Sequence, residues 1–345
     1  MRTQPTPKLI VTVFAIALFA SASAQSVGVH KLDDALDSIV STNAPIETAA
    51  EGFGFTEGPV WMKGGYLLFT DIPGNVIYKL QDGKASIYML HAGYNGPDMW
   101  RYGGMNDNAY DKSDPRYEEF PMIGADGLTR DVQGRLIIAT FAGRSIVRIE
   151  KNGKRTVLAD NYNGKKFSGP NDVVVKSDGS IYFTDTFGGL RLRAKDPKVE
   201  LPYNGLYRWK QGKVTLLLKD EMPNLNGLAF SPDEKYLYLN GSGDNYVNRY
   251  EVRPDGTITN GKLFFDMRAD KDPGVADGMR VDTKGNIYET GPGGIWIVSP
   301  EGKHVGTITP PQRCINLAFG DADKKTLYMA SHTAIYKVRV EVPGW

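Results

Sequence analysis

Residues 172–185 read DVVVKSDGSIYFTD, which is a short strand pattern, a polar turn and a second strand pattern. Apolar alternation on both sides of a Ser-Asp-Gly turn is typical of a β-hairpin. The same pattern recurs along the chain at 58–71, 127–140, 227–241, 278–291 and 316–331. A further strand pattern follows each copy, as in GLYRWK from Gly205 and AIYKVRV from Ala334. The repeat predicts a sheet of about four strands for each copy.

Six such sheets predict an all-β, six-bladed β-propeller around a central channel, because no blade can bury both of its faces alone. The alternative, two stacked β-sandwich domains, would not give one repeat in constant phase from residue 58 to residue 340. The sixth copy ends one strand short. We therefore expect residues 46–50 to supply the missing outer strand and close the ring, and place the propeller domain at residues 46–345.

Residues 1–24 have the form of an export signal. Arg2 and Lys8 precede an apolar run at 9–20, which is shorter than the roughly 20 residues of a membrane-spanning helix. Ala22-Ser23-Ala24 then matches the small-x-small pattern of a signal-peptidase site. We predict cleavage near Ala24 and a periplasmic or secreted protein without a stable membrane anchor; an uncleaved N-terminal anchor is the alternative.

An N-terminal extension at residues 25–45 separates this signal from the repeats. It carries a possible short helix at residues 31–40, which Pro45 would stop.

Composition excludes several classes of protein. The 345-residue chain carries 41 Lys and Arg against 40 Asp and Glu, so it lacks the positive charge that drives nucleic-acid binding. Its single cysteine, Cys314, excludes an internal disulfide framework and a CxxC zinc site. No GxSxG, GxxxxGK[ST] or HExxH motif is present, which argues against a serine α/β-hydrolase, a P-loop nucleotide site and a zinc protease.

One position in each repeat carries an oxygen-bearing side chain. Aligning the copies on the residue before the innermost strand gives Glu57, Asp126, Asn171, Asn226, Asp277 and Asn316. Equivalent positions of a propeller lie on one circle, so we expect these side chains to converge at one mouth of the channel. Oxygen ligands without His or Cys favour Ca²⁺ or Mg²⁺. One such residue can simply cap a turn, but six in register favour a metal site.

The motifs around this ring resemble the family of gluconolactonases, regucalcin and related calcium-dependent lactonases, in its bacterial gluconolactonase-type branch. They are Glu57-Gly-Pro, GPND from Gly169, NGLAFSPD from Asn226, Asp277-Gly-Met and NLAFG from Asn316. The resemblance implies a single divalent cation, usually Ca²⁺ with Mg²⁺, Mn²⁺ or Zn²⁺ as alternatives. Its implied ligands are Glu57, Asn171, Asn226 and Asp277. It also implies hydrolysis of a lactone or ester, with Asp277 as candidate base.

Two departures from the family pattern bear on the substrate. Relatives tend to have Asn where this chain has Asp126, and many have a Glu-His or Gln-His pair where it has Thr140-Phe141. We hypothesise a substrate less polar than a sugar lactone, bound by Phe141, Phe187 and aromatic residues of the insertion at 91–123. The full set of predicted substrate-binding residues is Asp126, Phe141, Phe187, Asn316 and His332.

Two other functions are compatible with the same ring. A phosphotriesterase resembling diisopropylfluorophosphatase would use the cation to polarise a phosphoryl oxygen. A non-catalytic, calcium-stabilised propeller would bind a ligand through its loops. Asp277 beside the neutral Asn226 favours chemistry, because a pure binding site needs no spare carboxylate.

Overall fold

The computed structural model describes residues 26–96 and 122–345, and six antiparallel sheets form its framework. Blade one contains β3 (Thr56–Met62), β4 (Tyr66–Asp71), β5 (Val76–Gln81) and β6 (Lys84–Leu90). Blade two contains β7 (Leu128–Arg130), β8 (Leu136–Ala139), β9 (Ile146–Ile149) and β10 (Arg155–Ala159). Blade three contains β13 (Pro170–Val175), β14 (Ile181–Asp185), β15 (Gly205–Lys210) and β16 (Lys213–Lys219).

The second half of the chain repeats this order. Blade four contains β17 (Leu225–Phe230), β18 (Tyr236–Gly241), β19 (Tyr246–Val252) and β20 (Ile258–Asp266). Blade five contains β21 (Met279–Val281), β22 (Ile287–Gly291), β23 (Gly294–Val298), β24 (His304–Thr309) and β1 (Gly28–Lys31). Blade six contains β25 (Asn316–Gly320), β26 (Thr326–Ser331), β27 (Ala334–Arg339) and β2 (Glu47–Glu51).

Contacts between the innermost strands close the ring. Strands β3, β7, β13, β17, β21 and β25 each touch the next in this order, and β25 touches β3. The six-bladed propeller predicted from the repeats is therefore confirmed. Smaller elements join the blades: the hairpin of β11 (Asn161–Tyr162) and β12 (Lys165–Lys166), and 3₁₀ turns at Phe141–Gly143, Phe187–Gly189 and Arg193–Lys195.

The two ends of the chain meet in blade six. Strand β2 pairs antiparallel with β27, with Glu47 opposite Lys337 and Thr48 opposite Tyr336. This confirms that the segment around residues 46–50 supplies the missing outer strand. Because this pairing joins residues at opposite ends of the sequence, it holds the ring shut without a covalent link.

The N-terminal extension differs from the helix expected at residues 31–40. Strand β1 pairs with the free edge of β24 and adds a fifth strand to blade five, so Lys31 ends a strand. Only Asp34–Ser38 turns, as a 3₁₀ helix capped by the Asp33 side chain, which accepts from the Ala35 amide. The free edge of β24 therefore pairs with residues 28–31, and these residues form a strand instead of the start of a helix.

Buried apolar side chains in the described ranges, 26–96 and 122–345, form six clusters, which pack neighbouring blades together. The cluster between blades five and six also includes Leu36, Ile39 and Val40 of the N-terminal extension. The lone Cys314 is buried in this cluster. The extension is therefore part of the folded core of the molecule.

The predicted signal at residues 1–24 lies outside the described residues. Among the residues that are described, no helix is long and apolar enough to cross a membrane.

Replacing Leu36 tests whether the extension stabilises the propeller. Leu36 is fully buried, so Leu36→Ala should lower the free energy of unfolding by about 2–5 kcal/mol. The matched control is Leu32→Ala, four positions earlier, where the side chain is 62% exposed and the change should stay within about 0.5 kcal/mol. Chemical denaturation of both variants measures the difference, and equal effects would contradict a structural role for the extension.

Candidate functional site

The six oxygen-bearing positions lie where the regular pairing of the innermost strands is interrupted or begins. Strand registers shift between Glu57 and Val60, between Pro170 and Val173, and between Leu225 and Leu228. In blades two and five the innermost strand starts just after Asp126 and Asp277. Such irregularities free a side chain from the alternation of the strand and redirect it. The side chains of all six blades are thereby turned toward one mouth of the channel.

Hydrogen bonds across blade boundaries show that these side chains converge as predicted. The Asn171 Nδ2 donates to Asp126 Oδ2 at 2.7 Å, joining blades three and two. The Asn316 Nδ2 donates to Glu57 Oε2 at 2.9 Å, joining blades six and one. Glu57 and Asp277 are close enough for the charge of Glu57 to raise the pKa of Asp277.

The carboxamides are oriented differently by their neighbours. Asn226 donates through Nδ2 to Ser242 Oγ at 2.7 Å, as Asn171 donates to Asp126. The Asn171 Oδ1 is buried and accepts no hydrogen bond from any described residue. In contrast, the Oδ1 of Asn316 accepts from the Leu317 amide at 2.8 Å. Asn171 therefore presents a spare oxygen, whereas Asn316 uses both ends of its carboxamide within the protein.

Side chains of the second strands hold the main chain of the ring. Thr70 Oγ1 donates to the Asp126 carbonyl at 3.2 Å, and Thr184 Oγ1 donates to the Asn226 carbonyl at 2.9 Å. In the same way, Asn240 Nδ2 donates to the Asp277 carbonyl at 2.7 Å. Each contact runs from one blade to the ring residue of the next blade, so the ring is fixed by the packing of whole blades.

Glycine residues that directly follow ring positions permit the close approach of neighbouring blades. A Cβ at Gly227 would lie 1.9 Å from the Asp277 carbonyl oxygen, and one at Gly58 would lie 2.2 Å from that of Asp126. Both distances are impossible for real atoms. Glycine is therefore required here because neighbouring blades touch through their main chains.

The ring concentrates carboxylates that burial penalises. Burial raises the pKa of Glu57 to about 7. The hydrogen bond from the Gly58 amide opposes this increase, and the charge of Asp172 adds to it. Burial and then the Glu57 charge raise the pKa values of Asp126 and Asp277 well above their usual range. Asp277 is the least buried of the six ring residues and is only half-buried. It is consequently the ring acid most open to a ligand.

Two further buried acids, Glu289 and Asp172, lie next to the ring. Neither was predicted from the sequence as a site residue. Glu289 on β22 accepts from Asn240 Nδ2 at 2.7 Å, and Asn240 also holds the Asp277 carbonyl. Asp172 is buried beneath the ring, with its Oδ2 4.0 Å from Nη1 of Arg280. Alignment of the second strands could have indicated Asn240, since it follows the same pattern as Thr70 and Thr184.

Asp71 and Asp185 fasten the loops that lead into the ring. Asp71 accepts from the amides of Gly54 and Phe55, and Asp185 accepts from those of Ser168 and Gly169. They occupy equivalent ends of the second strands in blades one and three. Both acids therefore act as strand-end caps that fix the chain just before Glu57 and Asn171.

Comparison with known proteins agrees with this geometry. A family model described as the SMP-30/Gluconolactonase/LRE-like region matches residues 55–333. A gluconolactonase of Zymomonas mobilis subsp. mobilis is 32% identical over 327 residues, covering 92% of this chain and 87% of that protein. The chain belongs to the SMP-30/gluconolactonase/LRE-like family. The family resemblance inferred from the motifs is thus confirmed.

Solved structures with lower identity share the fold of this family member. A gluconolactonase from Xanthomonas campestris superimposes with a TM-score of 0.74 at 24% identity, covering 92% of this chain and 96% of that one. A regucalcin from Agrobacterium tumefaciens, described as a calcium-binding protein, gives a TM-score of 0.65 at 18% identity. That match covers 88% of this chain and 96% of the regucalcin chain.

The predicted substrate-binding residues of this family member lie in different surroundings. Asp126 and Asn316 are buried in the ring, where each bonds to a neighbouring ring residue. Phe141 is buried, and its ring packs against the 3₁₀ turn that contains Gly188. Phe187 and His332 are half-buried. Residues 97–121, with most aromatics of the predicted 91–123 contribution, lie outside the described residues.

Rim residues that the sequence did not indicate lie next to His332. Phe55 meets the His332 imidazole edge-on, with ring centroids 5.4 Å apart. Burial and the positive charge of Arg313 lower the pKa of His332. The guanidinium of the exposed Arg313 also acts on Asp277, whose pKa it lowers against the larger effect of burial. This part of the rim therefore combines an aromatic ring with a cation near the most open acid.

The buried Asp185 gives stability a predictable pH dependence. Burial, opposed by the Ser168 and Gly169 amides, raises its pKa to about 7. A folded-state pKa above the unfolded value means that the contribution of Asp185 to stability is complete below its unfolded pKa and is lost as pH rises toward about 7, by at most about 1.4 kcal/mol per pH unit. Asp185→Asn removes this titration.

Thermal melting of both proteins at about pH 5 and about pH 8 tests this titration. The midpoint of the wild type should fall by several degrees relative to Asp185→Asn between the two pH values. Both proteins are melted in excess chelator, because the Asp185 cap fixes the chain just before Asn171 and its replacement could alter metal binding. An equal difference at the two pH values would show that Asp185 is not buried in the way described.

Proposed function

We propose that this chain is an exported, metal-dependent lactonase whose active site is the ring at the channel mouth. One observation carries the proposal: four blades bring the carboxylates of Glu57 and Asp277 and the carboxamides of Asn171 and Asn226 to one place. The Zymomonas mobilis relative is a gluconolactonase, which supports hydrolysis of a lactone ring over the other uses of such a ring.

The donor set fits a divalent cation. The unpartnered, buried Oδ1 of Asn171 is an oxygen that a cation would satisfy. Asn171 and Asn226 both direct Nδ2 into the protein, which leaves their carbonyl oxygens for a metal. Across the described parts of the chain, no three His, Cys, Asp or Glu side chains form a metal-binding group, and the proposed ligand set accordingly combines two carboxylates with two carboxamides.

Calcium is the proposed cation, since all four donors are oxygens. A structural neighbour is described as a calcium-binding regucalcin, and Mg²⁺, Mn²⁺ and Zn²⁺ are the alternatives. When bound, the cation would polarise the lactone carbonyl and stabilise the negative charge that develops on its oxygen.

Asp126 and Asn316 position the ligands in this proposal. Asp126 accepts from the Asn171 Nδ2, which leaves the Asn171 Oδ1 without a partner among the described residues, while Asn316 donates to Glu57 Oε2. Both residues are too buried to offer a surface to substrate. Their effect on catalysis is accordingly through Asn171 and Glu57.

Asp277 is the proposed general base. It is the ring acid most open to solvent, and a carboxylate within reach of a water molecule can accept its proton. It takes a proton from water as the water oxygen attacks the carbonyl carbon. The ring C–O bond then breaks, and the protonated Asp277 returns its proton to the leaving oxygen, which gives the hydroxy acid and restores the base.

The proposed substrate is a lactone or ester less polar than a sugar lactone. Phe141 is buried, and within the described residues Phe187 and the Phe55–His332 pair offer partly exposed aromatic side chains for such a substrate. Export rests on the basic start, the apolar run at 9–20 and Ala22-Ser23-Ala24. N-terminal sequencing of the mature chain tests cleavage after Ala24.

Replacing Asp277 tests the mechanism. Asp277→Asn keeps the size of the side chain and removes the base, so kcat should fall by about 10²–10⁴-fold while the folded state persists. Initial rates with gluconolactone and with an alkyl-substituted lactone measure the loss, and thermal melting checks the fold. Asp323→Asn is the matched control, because this carboxylate lies on the surface in an ion pair with Arg339.

If the Asp277→Asn variant hydrolysed the lactones at the wild-type rate, the role of Asp277 as base would be refuted. A strong preference of the wild type for gluconolactone would contradict the less polar substrate and leave the lactonase assignment in place. Hydrolysis of neither lactone would count against the assignment itself.

A further inference from the structure

A cavity lies at the mouth of the channel opposite the ring residues. It has a volume of about 420 Å³ and is lined by the innermost strands of all six blades, further along each strand than the ring residues. This volume is in the lower part of the range of about 300–1,000 Å³ found for small-molecule sites. The channel therefore has one polar mouth at the ring and a separate cavity at its opposite end.

Arg130 is an arginine of this cavity without a counter-charge among the described residues. Arg130, at the end of β7, is half-buried, and burial alone lowers its pKa. No hydrogen bond or ion pair joins its guanidinium to any residue within 26–96 or 122–345. The guanidinium nitrogens of Arg130 stay accessible in the cavity, so they can pair with an anion supplied from outside.

The acids that line the cavity are already paired. Asp131 accepts from Arg135 at 2.7 Å, and Glu234 accepts from Lys176 at 2.6 Å. The second arginine of the lining, Arg280, is also engaged, because it donates to the Met279 carbonyl at 2.6 Å and faces Asp172. Arg130 is consequently the arginine of this lining that is left to bind an anion.

Aromatic side chains form the apolar part of the cavity. Trp61 and Phe319 line it from blades one and six. Trp345 completes the wall with an indole that is 45% exposed. Its amide donates to the Val281 carbonyl at 3.1 Å, and Gly344 pairs with Asp282. An exposed tryptophan fixed by its main chain at a cavity is available to cover the apolar part of a ligand.

From the unpaired Arg130 and these aromatic walls, we propose that the cavity opposite the ring binds a small organic carboxylate with an apolar body. The carboxylate pairs with the Arg130 guanidinium, and the apolar body lies against Trp61, Phe319 and Trp345. This site is independent of the reaction at the ring, because none of the ring residues lines it.

Binding of 3-phenylpropionate to the full-length chain tests the proposal, with 3-phenylpropionamide as the uncharged probe of the same shape. Isothermal titration calorimetry should show the acid binding at least about tenfold more tightly than the amide, because the guanidinium pairs with a carboxylate. Arg130→Gln should remove at least about tenfold of the affinity for the acid, and Arg130→Lys should restore part of it.

Lys63→Gln is the matched control, since Lys63 is an exposed cation of the same lining; it should change affinity by less than about threefold. Equal affinity for acid and amide, no binding of the acid, or unchanged affinity in Arg130→Gln would overturn the proposal. Affinity that disappears with a chelator but survives Arg130→Gln would place the probe at the ring and would equally overturn it.

Discussion

The site of this protein depends on the placement of several acidic side chains together, largely out of water, at one mouth of the channel. Burial raises the pKa values of Glu57, Asp126 and Asp277, and the charge of Glu57 raises those of Asp126 and Asp277 further. Among the described residues, the positive charges of Arg280 and of the exposed Arg313 act against this effect at Glu57 and Asp277. A propeller tolerates such a cluster because closure of the ring by β2 and packing between blades, rather than contacts within the site, hold the strands together. The cluster is then available to bind a cation.

Hydrogen bonds to neighbouring residues determine which ring side chains keep an oxygen free for a ligand. The carboxamides of Asn171 and Asn316 are chemically identical, yet one leaves an oxygen free and the other uses it for the Leu317 amide. Asn240 connects Asp277 to the buried Glu289. Ligand positions are therefore determined by neighbours on adjacent blades, and a substitution outside the ring can move them.

Much of the fold and of the ring could be predicted from the sequence, because residues at the same position of each repeat lie on one circle in a propeller. The hairpin pattern at 172–185 and its copies predicted the blades, and the residue before each innermost strand predicted the ring. The pairing of β1 with β24 could not be predicted, since GVHK carries no signal for a partner so far along the chain. The burial of Phe141 was also hidden, because it depends on contact with the turn at Gly188. The directions of the carboxamides depend on hydrogen bonds between blades that local sequence does not encode.

The most direct test of the central claim is a calcium titration of the chelator-treated chain by isothermal calorimetry, compared with Asn171→Ala. The account predicts one ion bound per wild-type chain, accompanied by a rise in melting temperature, because binding to the folded state alone stabilises it. It also predicts at least about tenfold weaker binding by Asn171→Ala, which lacks the free Oδ1. Absence of binding by the wild type, or equal affinity in the two proteins, would contradict a cation held by this ring.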